Sequence, residues 1–316
     1  MTSPDADTTV VASGALRPVA STGDPNWLER ILGRPERPLP LDEPLVRLAG
    51  KRVLITGARG SIGSAVAEIL GGVSEVIATD KHSGDPAVDV RVESDVAAAL
   101  KDARPDVIFH LAAAKSAPDG ERDPMSALEV NVLGTRNVLA HAPEGCHVIT
   151  ASTCKACEPE TAYGASKLVA ERVTLNAGGS VARFYNVVES SGNVFEIWAQ
   201  LAPGDPIAVT PCRRYFISLA EAVSLVVWTA ILPRARYGFD PGKPREMHDV
   251  ASDLYPDRRL HSVPPRRGDR IVEPLAARHE QVEQDAHQSL LRIVGAHDLA
   301  ATDDRLEPAV RRLVAH

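Results

Sequence analysis

The chain has 316 residues, 44% of them hydrophobic and 24% charged, which is ordinary for a globular protein and long enough for one large α/β unit or two domains around a substantial core. A formal net charge of −7 argues against a surface that coats nucleic acid, so no DNA or RNA partner is expected, although a local basic pocket could still take an anionic small molecule. No run of about 18 apolar residues occurs, and Met1-Thr2-Ser3-Pro4-Asp5 lacks the basic and apolar regions of a secretory signal; no membrane partner and a cytoplasmic location are expected.

Residues 1–25 are rich in Ser, Thr, Asp, Ala and Pro without periodicity and read as a disordered leader. Residues 26–50 form an N-terminal arm: a short amphipathic piece at Trp27–Leu32, then a proline-punctuated connector from Pro35 to Pro44, expected to pack on the main domain. From Lys51 strand and helix alternate. Short β-branched runs at Val53–Ile55, Val76–Ala78, Val107–Phe109, Val148–Ile149 and Val181–Phe184 read as buried parallel strands. Helical segments fall between them at about 61–71, 93–103, 124–142 and 160–177. This alternation predicts an α/β fold with a Rossmann-type doubly wound parallel sheet over 51–185.

The first strand runs into Thr56-Gly57-Ala58-Arg59-Gly60-Ser61-Ile62-Gly63, which opens the first helix. Gly57 suits a tight turn, Gly60 lets the backbone approach a pyrophosphate, and Gly63 allows helix and sheet to close. The amides of Ser61 and Ile62 then lie at a helix N-terminus, where phosphate is favoured. The second strand ends in Asp80, at the spacing of a carboxylate that grips the adenosine ribose. Such a carboxylate would repel a 2′-phosphate, so NAD is expected rather than NADP; Arg59 and Lys81 are the cations that argue the other way. Only eight residues separate Asp80 from Asp89, too few for a helical crossover, so the helix between the second and third strands is expected to be missing.

A later strand ends in Ser152-Thr153-Cys154-Lys155 and is followed by Tyr163-Gly164-Ala165-Ser166-Lys167. Tyr163 and Lys167 are one helical turn apart and share a face. A phenol, a lysine and the Thr153 hydroxyl suit oxidation of an alcohol, with the lysine charge stabilising the phenolate that takes the proton. Cys154 and Lys155 add two more groups able to move protons. The four cysteines, at 146, 154, 157 and 212, are too few for a disulfide scaffold, and the lone Cys154-Lys-Ala-Cys157 lacks a second ligand pair, so no metal is expected.

Together, Thr56-Gly57-x-x-Gly60-x-x-Gly63, Asp89-Val90-Arg91, His110-Leu-Ala-Ala-Ala-Lys115, Asn131-Val-Leu-Gly-Thr135 and Tyr163-x-x-x-Lys167 resemble an extended short-chain dehydrogenase/reductase. More narrowly, Ser152-Thr-Cys-Lys-Ala-Cys-Glu-Pro159, Arg183-Phe-Tyr-Asn-Val187, Arg214-Tyr-Phe-Ile-Ser218 and Arg266-Arg-Gly-Asp-Arg270 resemble the inverting UDP-N-acetylglucosamine 4,6-dehydratases, from about Trp27 to about Glu280. Leu32-Gly33-Arg34-Pro35 resembles the segment that joins a transmembrane domain to the catalytic one in membrane-bound relatives, a domain expected to be absent here.

The resemblance implies an NAD-dependent nucleotide-sugar dehydratase acting on a UDP-N-acetylhexosamine. It adds Arg59, Asp89, Val90, Ala112 and Lys167 to the dinucleotide contacts. It assigns Lys115, Asn131, Asn186, Arg214 and Arg266 to the substrate, and makes residues 186–316 mainly a smaller substrate-binding subdomain, with part of 216–232 packing back on the first domain. Arg suits phosphate because its planar fork binds two oxygens at once. In the family pattern Ser-Thr-Asp-Lys, the Lys serves as base at C5 and the Asp as acid at the C6 hydroxyl. Lys155 matches the Lys, but Cys154 stands at the Asp position. A thiol is mostly protonated at neutrality and could donate; a charged Lys155 beside it would push it toward thiolate. The product therefore stays open among a 4-keto-6-deoxy sugar, a 5,6-ene sugar and an epimer, or Cys154 is a buried filler. A nucleotide-sugar epimerase and a non-catalytic dinucleotide-sensing protein are the alternatives. The helices at 124–142 and 160–177 are those that pair in the resembled family, implying a homodimer.

Overall fold

The structure, a computed structural model, describes residues 25–82, 86–266, 268–284, 287 and 289–295. Apart from Pro25, the leader expected over 1–25 lies outside the described residues.

The chain enters through α1 (Trp27–Leu32) and α2 (Asp42–Leu48) and then alternates strand and helix: β1 (Arg52–Thr56), α3 (Ser61–Leu70), β2 (Glu75–Thr79), α4 (Glu93–Ala103) and β3 (Val107–His110). Next come α5 (Ala117–Arg122), α6 (Pro124–Leu128), α7 (Gly134–His141), β4 (His147–Thr153), α8 (Ala162–Asn176) and β5 (Ser180–Phe184). The later elements are β6 (Asn186–Val187), α9 (Val194–Ala199), β7 (Ile207–Val209), β8 (Arg213–Arg214), β9 (Phe216–Ile217), α10 (Leu219–Thr229) and β10 (Arg236–Phe239). They are followed by β11 (Arg245–Glu246), α11 (Met247–Leu254), β12 (Leu260–Ser262), β13 (Glu280–Gln284) and β14 (Leu290–Gly295).

Eight strands form one sheet in the order β13-β14-β10-β5-β4-β3-β1-β2, with β2 through β10 parallel and β14 and β13 antiparallel at the far edge. This is the α/β, doubly wound sheet that the alternation of apolar runs predicts. Among the described residues no helix joins β2 to the Asp89 segment; the next strand shrinks to a single parallel bridge between Asp80 and Ala87. Eight residues cannot return along a sheet face, so β2 is left as the edge.

One expected helix is interrupted. The segment 124–142 divides into α6, a π-helical stretch at Glu129–Leu133, and α7. At that stretch the Thr135 hydroxyl donates to the Asn131 carbonyl at 2.7 Å, while the Asn131 side chain turns away to another loop. Such bulges are frequent where a helix must present a particular side chain.

The first helix of the arm, expected on the main domain, packs instead against a second core: Ile31 and Leu32 are buried with Trp198, Met247 and Val250. Only the connector and α2 lie against the main core, through Leu39 and Leu48. The connector is pinned to α10, where both guanidinium nitrogens of Arg34 reach the buried Glu221 at 2.5 and 2.9 Å and the Leu39 amide donates to Ser224 Oγ at 3.1 Å. α10 itself starts with a capping box between Ser218 and Glu221 and packs its apolar body on β4, β5 and β10.

Candidate active site

Doubly wound sheets open a crevice beyond the carboxyl ends of their strands, and the candidate residues gather there. Thr56, Thr79 and His110 end β1, β2 and β3 in register, while β4 runs three residues beyond the level of His110 to reach Thr153. His110 is spent on structure: its ring nitrogens meet Thr56 Oγ1 at 2.8 Å and Thr135 Oγ1 at 3.0 Å, and burial, with the Lys167 charge nearby, pushes it down to about 3.

At the end of β1, Gly57 has φ +71, and a Cβ there would stand 2.6 Å from the Ala112 amide nitrogen. A Cβ on Gly63 would run into the Gly57 carbonyl. The glycines thus hold the turn, α3 and the Ala112 segment together as one cradle. Gly60 begins α3 without a side-chain cap, leaving the first-turn amides of Ser61 and Ile62 available to an anion. Asp80 lies beside this turn, accepting from the Arg59 amide at 3.3 Å and the His82 amide at 3.4 Å. The arrangement fits a dinucleotide: amides for the pyrophosphate and a carboxylate for a ribose. Asp89, also expected there, is gripped by Arg91 at 3.0 and 2.6 Å, and this guanidinium holds its carboxyl below the usual range. Val90 is buried against Gly134, so its part is to seat α7.

β4 hands over to a 3₁₀ turn, Cys154–Ala156, capped when Thr153 Oγ1 accepts from the Lys155 amide at 3.3 Å. α8 then starts with Thr161 as its cap, accepting from the Gly164 amide at 2.9 Å. These two caps set Tyr163 facing Thr153, whose hydroxyl helps hold the phenol down. Burial raises the Tyr163 phenol, and the Lys155 charge works against that rise. Burial also pulls Lys167 down to about 8, opposed by Glu171 one turn further along α8.

The turn also separates the fates of Cys154 and Lys155. Cys154 is fully enclosed at 0% exposure and belongs to the main apolar core. Burial, then the negative Glu273, push its thiol up to about 12. Of the parts left open for Cys154, acid, base or buried filler, this enclosure supports the last, with its S–H pointing to Glu273 Oε2 at 3.6 Å. Lys155 instead lines the cavity, with Nζ 2.7 Å from Glu273 Oε1 and 3.3 Å from Asn186 Oδ1.

That cavity, of about 570 Å³, lies between the carboxyl ends of the strands and the second core. Lys115, Asn186, Arg214 and Arg266 all line it. Lys115 Nζ donates to the Ser191 carbonyl and hydroxyl at 2.8 and 2.9 Å, and Asn186 Nδ2 donates to Glu273 Oε2 at 2.7 Å. Arg214 donates to the Arg270 carbonyl at 2.7 Å, with its Nε 3.5 Å from Glu273; Arg266 stands on the rim, paired with Asp269 at 3.2 Å. Asn131 is the exception. It is 1% exposed, accepts from the Ala114 amide at 3.0 Å and donates to the Ala114 carbonyl and Ser166 Oγ at 3.1 and 2.9 Å. Both of its N–H groups and one lone pair of its oxygen are spent and the side chain is buried away from the cavity, so it acts as a strut beside Lys115.

Glu273 was not among the residues singled out from the sequence. It is 2% exposed, lines the cavity, and is reached by Lys155, Asn186, Arg214 and Cys154. Burial disfavours its charge, but Lys155 and Arg214 outweigh that and hold the carboxyl below its ordinary range. The one available signal was its place three residues beyond Arg270, at the end of a segment already marked by its arginines.

With this geometry in view, likeness to known proteins becomes specific. Residues 74–295 match the family model described as polysaccharide biosynthesis protein. The capsular polysaccharide biosynthesis protein CapD of Staphylococcus aureus is 31% identical over 310 residues, covering 84% of this chain and 51% of CapD. A UDP-N-acetylglucosamine 4,6-dehydratase (inverting) of Campylobacter jejuni is 31% identical over 214 residues, covering 56% of this chain and 63% of that protein. The chain thus spans about half the length of CapD, the longer of these two relatives. The X-ray structure of Pen from Bacillus thuringiensis superposes with a TM-score of 0.69 at 21% identity, covering 81% of this chain and 90% of that one, and so shares the fold. No helix among the described residues is long and apolar enough to cross a membrane. The chain belongs to the polysaccharide biosynthesis protein family of extended short-chain dehydrogenase/reductases.

Proposed function

We propose that this chain is an NAD-dependent nucleotide-sugar dehydratase acting on a UDP-N-acetylhexosamine, oxidising C4 and eliminating water across C5 and C6. The observation that carries the reading is Lys155: a positioned lysine on the cavity wall, next to the Thr153–Tyr163 pair, that oxidation alone does not require. An epimerase needs only Thr153, Tyr163 and Lys167.

Bound NAD supplies the acceptor and later the donor of a hydride. The protein's own residues do the rest. Lys167, beneath Tyr163 on α8, lowers the cost of the phenolate that takes the C4 hydroxyl proton, while Thr153 holds the same oxygen. Once C4 is a ketone, the C5 hydrogen is acidic, and an acid and a base on the cavity wall can expel the C6 hydroxyl. Arg214 and Arg266 offer charge to a diphosphate, and the apolar wall of Phe195, Trp198 and Phe216 offers a face to a nucleobase. Asp80 favours NAD over NADP.

Incubation with UDP-N-acetylglucosamine in deuterated water, followed by mass spectrometry, tests the reading. A product lighter by one water, apart from any solvent deuterium gained at C5, supports it. An isobaric product means epimerisation, and binding of NAD with no turnover of any nucleotide sugar means a sensing protein.

A further inference from the structure

The Lys155 ammonium and the Glu273 carboxylate form a close ion pair on the cavity wall, Nζ to Oε1 at 2.7 Å. Oε2 is fully engaged, accepting from Asn186 Nδ2 at 2.7 Å and facing the Cys154 thiol at 3.6 Å. Oε1 accepts from Lys155 Nζ, with Arg214 Nε near it at 3.5 Å, which engages one of its two lone pairs. A buried carboxylate oxygen with an unused lone pair on the cavity wall is placed to accept a proton. Lys155 has the opposite endowment. Burial favours its neutral amine, yet neighbouring negative charge outweighs burial and pushes it up. The Cys154 thiol keeps its proton below about 12, so at neutral pH that charge belongs to Glu273. A lysine held as ammonium has a proton to give and none to take.

We propose that Glu273 is the base that removes the C5 proton and Lys155 the acid that protonates the departing C6 hydroxyl, which reverses the part the family resemblance implies for Lys155. The inference rests on the dehydratase reading above. In the step, the C5–H bond breaks and its proton goes to Glu273 Oε1. Its electron pair becomes the C5–C6 π bond, the C6–O bond breaks, and a proton from Lys155 Nζ completes the water. If the unsaturated sugar is released, Glu273 passes its proton across the ion pair to Lys155. If C6 is reduced instead, Glu273 returns its proton to C5, and the proton that Tyr163 took from the C4 hydroxyl restores Lys155. Either way the pair ends as it began. Cys154 and Asn186 become positioning residues that aim Glu273. This explains how the site can lack an Asp beside Lys155: the carboxylate arrives from another part of the chain.

The test uses the full chain loaded with NAD, UDP-N-acetylglucosamine in deuterated water, and the variants Glu273→Gln and Lys155→Gln. Absorbance of the reduced dinucleotide on substrate addition reports C4 oxidation, deuterium at C5 of recovered sugar reports the base, and mass reports water loss. Lys155→Gln is expected to keep C5 exchange within about 10-fold of wild type and lose water release by about 100-fold or more. Glu273→Gln is expected to lose both by about 100-fold or more while C4 oxidation persists. Loss of C5 exchange in Lys155→Gln, or its survival in folded Glu273→Gln, overturns the proposal. If Glu273→Gln does not fold, Glu273→Asp takes its place, and the Lys155→Gln result decides on its own. If the wild type releases no water from any nucleotide sugar, the dehydratase reading fails first and takes this assignment with it.

Discussion

Replacing Glu171 by Gln should both destabilise the fold and flatten its acid dependence. Glu171 is 0% exposed beneath Lys167. Its Oε1 accepts from Ser152 Oγ at 2.6 Å and Arg183 Nε at 2.9 Å; its Oε2 accepts from Arg183 Nη2 at 2.7 Å and Arg236 Nε at 2.8 Å. Glu280 closes the group, taking Arg183 Nη1 and Nη2 at 2.7 and 2.8 Å. Two buried guanidiniums are thus balanced by two carboxylates that tie α8 and β5 to β13. Removing one carboxylate leaves an uncompensated buried charge, which costs about 3–5 kcal/mol. The titration leads to a similar figure. Burial alone would raise the Glu171 carboxyl, but Arg183 and Arg236 overcome it and bring the group from 4.5 down to about 2, which corresponds to about 3 kcal/mol. Because the folded value lies below the unfolded one, this stability is present above about 4.5 and is lost as pH falls through about 2. Urea unfolding at neutral pH should show a lower midpoint with an unchanged slope, and the variant should lose less stability than wild type between those two pH values. A destabilisation under about 1 kcal/mol, or an acid limb identical to wild type, would mean that Arg183 and Arg236 do not depend on the Glu171 charge.

Gly63→Ala should lower NAD affinity by about 10-fold or more, read by calorimetric titration, because its methyl group collides with the Gly57 carbonyl that shapes the cradle. Cys154 should resist a thiol reagent in the native protein at pH 8 and react only on unfolding, since it is enclosed and its thiol sits at about 12; fast native labelling would contradict that placement. Asn131→Ala should cost about 1–3 kcal/mol by leaving Ala114 unpaired, and should raise KM by shifting Lys115, while an unchanged KM would free Asn131 from any positioning part.

Strands β1 to β5 and the helices between them were legible because those strands are short apolar, mostly β-branched runs, whereas β10, with Arg-Tyr-Gly-Phe, carries no such run and joins the sheet unannounced by its sequence. Even the missing helix after β2 could be read from the count between Asp80 and Asp89. The break at Glu129–Leu133 could not, because local apolar periodicity is the same whether or not Thr135 captures the Asn131 carbonyl. The docking of α1 on the second core depends on α11, more than 200 residues away in the chain. The site divides in the same manner. Tyr163, Lys167, Thr153 and the glycines form local patterns, whereas Glu273 meets Cys154 across 119 residues and no spacing rule reaches that far. Adjacency in sequence also misled at Cys154 and Lys155: the 3₁₀ turn sends one into the core and the other to the cavity.

Whether elimination follows oxidation in this cavity can be read from UDP-N-acetylglucosamine deuterated at C4 and a proton spectrum of the product. The expected product is a sugar that has lost the C6 hydroxyl, with the label moved to C6 or returned to C4 beside a C5–C6 double bond. A product that keeps its C6 hydroxyl and C5 hydrogen, with the label on an inverted C4, would contradict it.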